Sequence, residues 1–427
     1  MTAPLTHGRP PRVVVISASF GAGHDGAAAE LSRRLRRDGF AVQRHDFVDL
    51  LPRRSGRLLR GMYRRQLTTL PATWGWLLSA VGTAAAGAAA SRLTALADEA
   101  TLTAVGPDAA AVVSTYPLAG QVLGRLRRDG RLRAPALTYL TDLSVHPLWI
   151  ADGIDTHLAL HDETARQARL HGARDVRVVA PAVAPAFDRT PPVTSQVRQR
   201  LRFGLPAAAP LALIVAGAWG TGAVEQAAAD VAATGLAVPV VACGRNDTLR
   251  HRLARTGRVI ALGWIDDMAA LMRTCQVVVQ NAGGLSSLEA LTAGVPVVTF
   301  RCVPGHGRSN AEALDVAGWV PWIRDPADLA AALRRTMVTP NSFRPTTVRP
   351  ETVIAAAAGV PRPAPSMAWP PAFATAVGPP PAPALAPPVA AATASPAPPS
   401  APWPSGPSCA PVLTADGPAS GPLVAAS

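Results

Sequence analysis

Lysine is absent from this chain of 427 residues, so all 41 of its basic side chains are arginines. Aromatic side chains are also scarce, with three tyrosines and eight phenylalanines. Because unpaired bases are usually held by aromatic stacking, and no nucleic-acid module is evident, the sequence predicts no nucleic-acid partner. The net charge is +13, and residues 1–75 carry 13 arginines against 5 acids. This excess favours an anionic membrane surface as a partner.

Cysteine is nearly absent, and the four that occur have no paired spacing that would hold a metal ion. They are Cys243, Cys275, Cys302 and Cys409. Three of them lie in or beside apolar runs, where buried free thiols are expected. The polar N-terminus passes directly into a strand-like run without the apolar core of a signal peptide. The sequence therefore predicts a cytoplasmic protein without a metal site.

Long hydrophobic runs are limited to one uncharged segment, residues 66–91. A bilayer is crossed by a helix of about 20 apolar residues, so this segment is long enough. Its composition is mostly Ala, Gly and Thr, it is interrupted by Pro71, and its strongest apolar residues cluster around Trp74 and Trp76. Flanking arginines and paired tryptophans favour an interfacial helix, peripheral to the cytoplasmic membrane. A buried alanine-rich helix of the N-terminal domain is the alternative.

Hydrophobic runs that alternate with helical stretches predict an α/β fold of two Rossmann-like, doubly wound domains facing across a cleft. Residues 1–185 form the first domain and 193–339 the second, with a Pro- and Ala-rich linker at 181–192. The predicted strands are 12–17, 41–47, 110–114, 136–140, 156–160, 211–216, 238–243, 258–262, 276–280 and 295–300, and the clearest helices are 27–37, 162–171 and 327–337. Residues 340–427 hold 23 of the 43 prolines, which predicts a disordered Pro/Ala-rich tail.

The segment from Asn281 to Glu312 carries the most chemical information. A β-branched run ends in Gly283 and Gly284, small hydroxyl residues follow, and a helical stretch then carries Glu289. Free backbone N–H groups and a positive helix N-terminus suit a phosphate. The carboxylate lies about one helical turn (3.6 residues) beyond the hydroxyls, where it is placed to accept bonds from ribose hydroxyls. The segment therefore predicts a site for a nucleoside diphosphate and its sugar.

This segment resembles the donor-binding region of UDP-sugar glycosyltransferases with two Rossmann-like domains, the GT-B arrangement. The resemblance is to monogalactosyldiacylglycerol synthases and to the lipid-linked GlcNAc transferase of peptidoglycan synthesis. Further glycine turns, Gly217–Gly222, Cys243–Asn246 and Gly263–Ile265, follow predicted strands in the same order as in that family. The donor-binding residues that the resemblance implies are Gly217, Gly220, Arg245, Asn246, Trp264, Ile265, Gly283, Gly284, Leu285, Ser286, Ser287, Glu289, His306 and Asn310.

The first glycine loop, Ser19 to Gly26, formally matches the dinucleotide fingerprint, with Asp46 about 20 residues beyond it. An NAD-dependent oxidoreductase is therefore one hypothesis. In the resembling glycolipid synthases the loop lies on the acceptor side, with Gly23 near the acceptor and His24 as general base. An imidazole suits that role because its pKa lies near the working pH. The alternative is that His24 only caps a helix or bonds a loop carbonyl.

A second constellation, Tyr139 to Trp149, follows a predicted strand at its carboxyl end. By the resemblance, Asp142 either orients His24 or is itself the base, while His146 and Trp149 line the acceptor pocket. The alternatives are a turn or cap role for Asp142 and ordinary core packing for Trp149.

The resemblance implies an inverting, metal- and cofactor-independent transfer of a hexose from a UDP-sugar to a lipid hydroxyl, most plausibly of diacylglycerol. One departure concerns the donor sugar. Where the family has Pro-Gly-Gln-Glu, this chain has Pro304-Gly305-His306-Gly307. A non-catalytic nucleotide-sugar binder is therefore a further hypothesis, alongside a UDP-sugar 2-epimerase. The family's long C-terminal helix is also missing from the sequence pattern.

Overall fold

Two six-stranded parallel sheets form the frame of the molecule. The computed structural model describes residues 9–19, 22–52, 56, 91–92, 94–188, 195–215, 217, 220, 222–281, 283–339 and 343–360. The predicted interfacial helix at 66–91, apart from Ser91, and the tail beyond residue 360 lie outside these residues. In the part of the chain that is described, no helix is long and apolar enough to cross a membrane.

The N-terminal half contains the first sheet, whose strands are ordered β2-β1-β3-β4-β5-β6. These strands are β1 Arg12–Ser17, β2 Ala41–Asp46, β3 Ala109–Ser114, β4 Ala136–Tyr139, β5 Thr156–Ala159 and β6 Val176–Val178. The helices are α1 Ala22–Arg37, α2 Phe47–Leu50, α3 Asp98–Val105, α4 Pro117–Arg128 and α5 Asp162–Leu170, with a 3₁₀ turn at Pro147–Trp149. The order reverses between β1 and β3, and open α/β sheets place their ligands at such a switch point.

The C-terminal half contains the second sheet, ordered β12-β11-β10-β7-β8-β9. These strands are β7 Leu211–Val215, β8 Val238–Ala242, β9 Ile260–Leu262, β10 Val277–Gln280, β11 Val297–Phe300 and β12 Trp322–Ile323. After a short connecting helix, α6 Pro185–Asp188, its helices are α7 Ser195–Arg202, α8 Val224–Ala233, α9 Asp247–Ala254, α10 Met268–Arg273, α11 Leu285–Thr292, α12 His306–Val316 and α13 Leu329–Val338, with a 3₁₀ turn at Pro326–Asp328. The switch point lies between β7 and β10. The predicted pair of Rossmann-like sheets is therefore confirmed.

Strand β1 shows why the strands could be predicted from the sequence. Val13 and Val15 enter one buried cluster, whereas Val14 and Ile16 enter the cluster on the other face of the sheet. Both faces of a parallel sheet are covered by helices, so such a strand reads as a continuous β-branched run. The first cluster continues into the C-terminal half through Leu211 and its neighbours, and so joins the two halves.

Two predicted boundaries are wrong. Helix α1 begins at Ala22, five residues earlier than the predicted residue 27, so Gly23 and His24 belong to its first turn rather than to a loop. A side chain at Gly26 would place its Cβ 2.6 Å from Cδ2 of Leu285, so glycine permits the close approach of helices α1 and α11. This approach links the two halves directly.

The second wrong boundary is the start of the tail at residue 340. A further helix, α14 Pro350–Ala357, packs on α1 and β3 of the N-terminal half. Its Ile354 is fully buried, and its buried Glu351 forms an ion pair with Arg349 and lies 3.9 Å from Arg34. The chain therefore does cross back onto the first domain after the second, although the helix is short. Composition hid it, because its alanines resemble those of the region that follows.

The cysteines within the described residues are free thiols. Cys243 and Cys275 are buried and Cys302 is half-buried, and burial raises the pKa of each thiol to about 11. These side chains are protonated and unreactive near neutral pH.

Candidate functional site

His24 occupies the switch point of the first sheet, where β1 and β3 end. Its Nδ1 lies 2.8 Å from the backbone carbonyl oxygen of Thr115 and 2.9 Å from Oγ1 of Thr141. Because a carbonyl oxygen only accepts, Nδ1 carries the proton, which leaves the lone pair on Nε2. The rings of Tyr116 and Trp149 flank the imidazole, with centroids 5.4 and 5.9 Å away. The imidazole is thus held in one tautomer and one orientation, as a general base requires.

Asp142 lies in the loop after β4 and follows Thr141, whose hydroxyl contacts His24. Its Oδ2 accepts a bond from Nε1 of Trp149 at 3.2 Å, and its Oδ1 lies 3.4 Å from Nδ2 of Asn310. The bonds described at Nδ1 of His24 come from Thr115 and Thr141, so these two residues orient the ring. The role of Asp142, either as the group that orients His24 or as the base itself, stays a prediction. Neither threonine received a role from the sequence, because partners separated by 91 and 117 residues leave no local pattern.

The two residues predicted to line the acceptor pocket differ in their exposure to it. Trp149 is 2% exposed and packs in a buried cluster, which leaves its indole N–H to hold Asp142. His146 accepts a bond from the backbone N–H of Leu148 at 3.2 Å and so caps the 3₁₀ turn. The indole is too buried to form the open surface of a pocket, whereas half-buried His146 lines a cavity.

Asn310, on α12 of the C-terminal half, reaches across to the N-terminal half. Its Oδ1 accepts bonds from the backbone N–H and the hydroxyl of Ser144 at 2.9 and 2.8 Å, and the side chain is fully buried. Gly283 lies directly beneath it, because a Cβ there would come within 2.8 Å of Cβ of Asn310. In this structure, therefore, the amide group predicted to hold the donor ties the two halves together.

The N-terminus of α11 faces α1 across the cleft. Gly284 caps the helix with a φ of 73°, and Leu285 lies 4.0 Å from the position of a Cβ at Gly23. Leu285, the first residue of this eight-residue helix, thus lies against the turn of α1 that carries His24, and the first N–H groups of the helix have no partner within it. Ser286 is half-buried, whereas Ser287 is fully buried. No surface of Ser287 is open in this structure, and its assignment to the donor site stays a prediction.

Glu289 lies half-buried on the same helix. Burial raises the pKa of its carboxyl group to about 7, well above the usual value for glutamate. Desolvation disfavours the ionised form, and no arginine offsets that cost in the shift described. A carboxylate kept at such a cost within a cleft is a candidate binding group.

The loops after β8 and β9 place an aromatic ring and a cation together. The guanidinium of Arg245 lies 4.6 Å from the ring centroid of Trp264, and the tryptophan is 51% exposed. Asn246 instead caps α9, because its Oδ1 accepts a bond from the backbone N–H of Leu249 at 2.9 Å. Ile265 packs at the edge of the core. An exposed ring paired with arginine offers a flat base a stacking surface.

The remaining predicted donor residues are backbone positions in turns. Gly217 and Gly220 have φ values of 66° and 61°, which favour glycine, and both lie after β7 at the switch point. His306 begins α12, and its cap Gly305 has a φ of 76°. These turns are arranged around the same edge of the second sheet.

A cavity of about 480 Å³ joins the two halves at this edge. Its walls come from the loop containing Asp142 and His146, from α5, and from α12 of the opposite half. Gly305, Ser309 and Glu312 contribute the C-terminal side. The structure thus brings the predicted acceptor loop and the predicted sugar loop to one space.

Within the described residues, no three His, Cys, Asp or Glu side chains are grouped as metal ligands.

Two protein-family models match separate parts of this chain. Residues 24–180 match the family described as monogalactosyldiacylglycerol (MGDG) synthase, and residues 220–338 match the family described as glycosyl transferases group 1. The predicted resemblance to glycosyltransferases is confirmed. The first match begins at His24, and the second begins at Gly220 and spans the turns at Cys243–Asn246 and Gly263–Ile265 together with α11 and α12.

Curated relatives include processive diacylglycerol beta-glucosyltransferases. That of Bacillus subtilis (strain 168) is 26% identical over 215 residues, covering 48% of this chain and 55% of the relative. That of Bacillus cytotoxicus is 25% identical over 228 residues, covering 51% of this chain and 57% of the relative. The chain therefore spans a little over half the length of these curated relatives.

Solved structures with a similar chain course include MurG of Acinetobacter baumannii, at 16% identity and a TM-score of 0.47, covering 82% of this chain and 94% of that one. A UDP-glucosyltransferase of Polygonum tinctorium is 16% identical with a TM-score of 0.48, covering 83% of this chain and 93% of that one.

Proposed function

We propose that this protein transfers a hexose from a UDP-sugar to a lipid hydroxyl, with diacylglycerol as the acceptor. The observation that carries the proposal is the placement of His24. Its imidazole is fixed in one tautomer on the N-terminal side of the cleft, and Leu285, the first residue of α11 in the C-terminal half, lies against the same turn of α1. A base and an anion-binding helix end on opposite walls suit attack by a hydroxyl on a sugar diphosphate.

In this proposal Nε2 of His24 accepts the proton of the lipid hydroxyl. The hydroxyl oxygen forms a bond to C1 of the hexose as the bond from C1 to the diphosphate oxygen breaks, and the electron pair leaves with UDP. The first N–H groups of α11 stabilise the charge that develops on the diphosphate. Thr115 and Thr141 keep the ring in its orientation, and the Trp149–Asp142 bond supports the wall behind it.

The nucleoside has a second group of candidate contacts. Glu289 would accept bonds from the ribose hydroxyls once its carboxyl group ionises, and Trp264 with Arg245 would stack on the uracil. Both lie in the C-terminal half, whereas His24 lies in the N-terminal half, so donor and acceptor meet at the cleft. The cavity beside Asp142 and Gly305 would receive the hexose.

The proposed stereochemical outcome is inversion. The relatives from Bacillus are named beta-glucosyltransferases. Common UDP-hexoses carry the sugar in the α configuration, so a β product requires one displacement with inversion at C1. One base on the face opposite the leaving diphosphate is sufficient for such a displacement.

A direct test is incubation of the full chain with UDP-glucose, UDP-galactose or UDP-GlcNAc and vesicles containing diacylglycerol. Mass spectrometry would detect the glycolipid, and the coupling constant of its anomeric proton would give the configuration. We expect a β-linked glycolipid formed in equal amount to free UDP with one of the hexose donors. The proposal would be refuted if none of the donors gave either glycolipid or free UDP.

A non-catalytic nucleotide-sugar binder is the second candidate. The observation that favours it is the pair His306-Gly307 at the start of α12, where the resembling transferases have Gln-Glu for the sugar hydroxyls. The same experiment separates the two functions. If calorimetry shows that the protein binds UDP, and the incubation yields neither glycolipid nor free UDP from the UDP-sugars, the protein is a binder.

A further inference from the structure

The loop after β4, residues 142–149, reaches the C-terminal half through Ser144, and we call it the acceptor loop. The backbone N–H and the hydroxyl of Ser144 both donate to Oδ1 of Asn310, at 2.9 and 2.8 Å. An amide oxygen has two lone pairs, and these two bonds use both of them. Asn310 is fully buried, and Gly283 lies against it. The oxygen of an amide that was predicted to hold the donor is thus occupied by the acceptor loop.

The position of Ser144 decides what reaches this amide from the cleft. Ser144 lines the cavity of about 480 Å³ between the halves, together with Ser309 and Glu312 of α12, whereas Asn310 is not among the lining residues. A sugar in that cavity therefore meets Ser144 before it meets the amide. The hydroxyls of a hexose offer Oδ1 the same kind of bond that the serine hydroxyl offers.

The acceptor loop is also anchored within its own half. Oγ1 of Thr164 donates to the carbonyl oxygen of Leu143 at 2.7 Å, and the backbone N–H of Val145 donates to Oε1 of Gln167 at 2.9 Å. Both anchoring side chains belong to α5, and their bonds lie on either side of Ser144 in the chain. The loop therefore keeps its shape when the amide is released, and the change is confined to its contact with α12.

We propose that Ser144 and the hexose of the donor compete for the amide of Asn310. Without donor, Ser144 holds the amide and the acceptor loop is tied to α12. In the donor complex the hydroxyls of the hexose replace Ser144, and the loop is released to receive the acceptor. Such bonds exchange at a small net cost, because each of them also replaces a bond to water. Ser144 is thus a positioning residue, and the inference rests on the proposed function because it takes a hexose as the competitor.

Calorimetric titration of the full chain with UDP-glucose, UDP-galactose and UDP tests the competition. Ser144→Ala removes one of the two bonds to the amide, so its affinity for the UDP-hexose should rise about threefold to tenfold, the effect of one hydrogen bond. Its affinity for UDP should not change, because UDP carries no hexose. Ser144→Thr is the matched control, since it keeps the hydroxyl and should bind as the wild type does. Thermal unfolding of each variant checks that it is folded.

Unchanged or weaker binding of both UDP-hexoses by folded Ser144→Ala would overturn the proposal. The loss of a bond with a purely structural role does not strengthen the binding of one ligand and leave that of UDP unchanged.

Hydrogen exchange at the backbone N–H of Ser144 follows the contact itself. This N–H should be protected in the free protein, because Asn310 accepts its bond, and a saturating UDP-hexose should speed its exchange whereas UDP should not. Protection that neither UDP-hexose relieves, in a protein that still forms glycolipid, would overturn the competition and leave the proposed function intact. Exchange that a UDP-hexose speeds, in a protein that forms no glycolipid, would support the competition and refute the transfer.

Discussion

Burial of the Glu289 carboxyl group opposes folding once the pH exceeds the usual pKa of a glutamate. Its carboxyl group has a pKa of about 7 in the folded protein, against a usual value of 4.5. The unfolded chain therefore releases this proton more readily, and folding loses stability as pH rises from about 4.5 to about 7. A difference of this size corresponds to at most roughly 3 kcal/mol. Ribose hydroxyls that donate to the carboxylate would replace the water that burial removes.

Substitution Glu289→Gln tests whether that cost serves ligand binding. The variant should be more stable than the wild type at pH 8 and equally stable at pH 4, because the amide carries no charge at either pH. It should also bind UDP about 1–3 kcal/mol more weakly at pH 8, the range for losing a charged hydrogen bond. In the wild type, UDP affinity should rise as pH increases through about 7, since the carboxylate is the better acceptor.

Calorimetry with UDP and chemical denaturation at both pH values measure these effects. Glu289→Ala should weaken UDP binding by a similar 1–3 kcal/mol, on the same grounds. A folded Glu289→Gln variant with unchanged UDP affinity would remove Glu289 from the site.

Asn310 is a second residue whose role depends on its burial. Asn310→Ala removes the acceptor for two bonds from Ser144 and the donor near Asp142. Leaving buried polar groups unsatisfied costs about 1–3 kcal/mol each, so the midpoint of urea unfolding should fall clearly. Ser309→Ala is the control, because Ser309 is exposed on the same helix and should change stability little. Equal midpoints for the two variants would show that the contact between the halves contributes no stability.

At the scale of elements, β-branched runs predicted ten of the twelve strands to within two residues at each end. The two that were missed, Val176–Val178 and Trp322–Ile323, are edge strands of three and two residues. Such short strands carry too few alternations for a periodicity to show. Helix α1 also begins earlier than expected, because glycines that look like a loop in sequence are required by the approach of Leu285.

For the candidate site, the sequence predicted the positions of loops but not the partners of their side chains. Loops after parallel strands converge at one sheet edge, so the sequence predicted that Asp142 reaches the same space as His24. The partners of each side chain were not predictable, since they depend on contacts between distant residues. Asn310 bonds Ser144 across 166 residues, and Thr115 orients His24 across 91. Whether a serine such as Ser287 faces the cleft or the core is likewise set by packing.

The returning helix α14 provides a prediction at the element scale. Truncation after Thr339 removes Ile354, Ala355 and Glu351 from the N-terminal half, and truncation after Val360 retains them. Deleting a buried isoleucine alone costs about 2–5 kcal/mol, so the shorter protein should melt several degrees lower. The longer truncation should melt within about a degree of the full chain, because a Pro/Ala-rich segment contributes no core. Differential scanning calorimetry of the two proteins measures this, and equal melting temperatures would show that α14 does not stabilise the fold.

At the scale of the whole molecule, the charge of the chain and the proposed lipid acceptor both favour a membrane surface as partner. Diacylglycerol is a membrane lipid, and residues 1–75 carry 13 arginines against 5 acids. We therefore predict binding to vesicles of anionic phospholipid that weakens as salt rises, because exposed charge attraction is screened over about 8–10 Å at 0.10–0.15 M salt. Cosedimentation with anionic and zwitterionic vesicles at several salt concentrations measures it. Equal binding to both vesicle types would contradict an electrostatic contribution.

The most direct measurement follows labelled hexose from UDP-hexose into glycolipid in vesicles containing diacylglycerol, with wild-type protein, His24→Ala and His171→Ala. His171 is an exposed histidine at the end of α5 and serves as the control. General-base catalysis contributes about 10²–10⁴-fold, so His24→Ala should lower turnover by that factor with unchanged UDP affinity, and His171→Ala should resemble the wild type. Full turnover in His24→Ala with none in Asp142→Asn would move the base to Asp142. Absence of labelled glycolipid with folded, UDP-binding wild-type protein would contradict the proposed transfer.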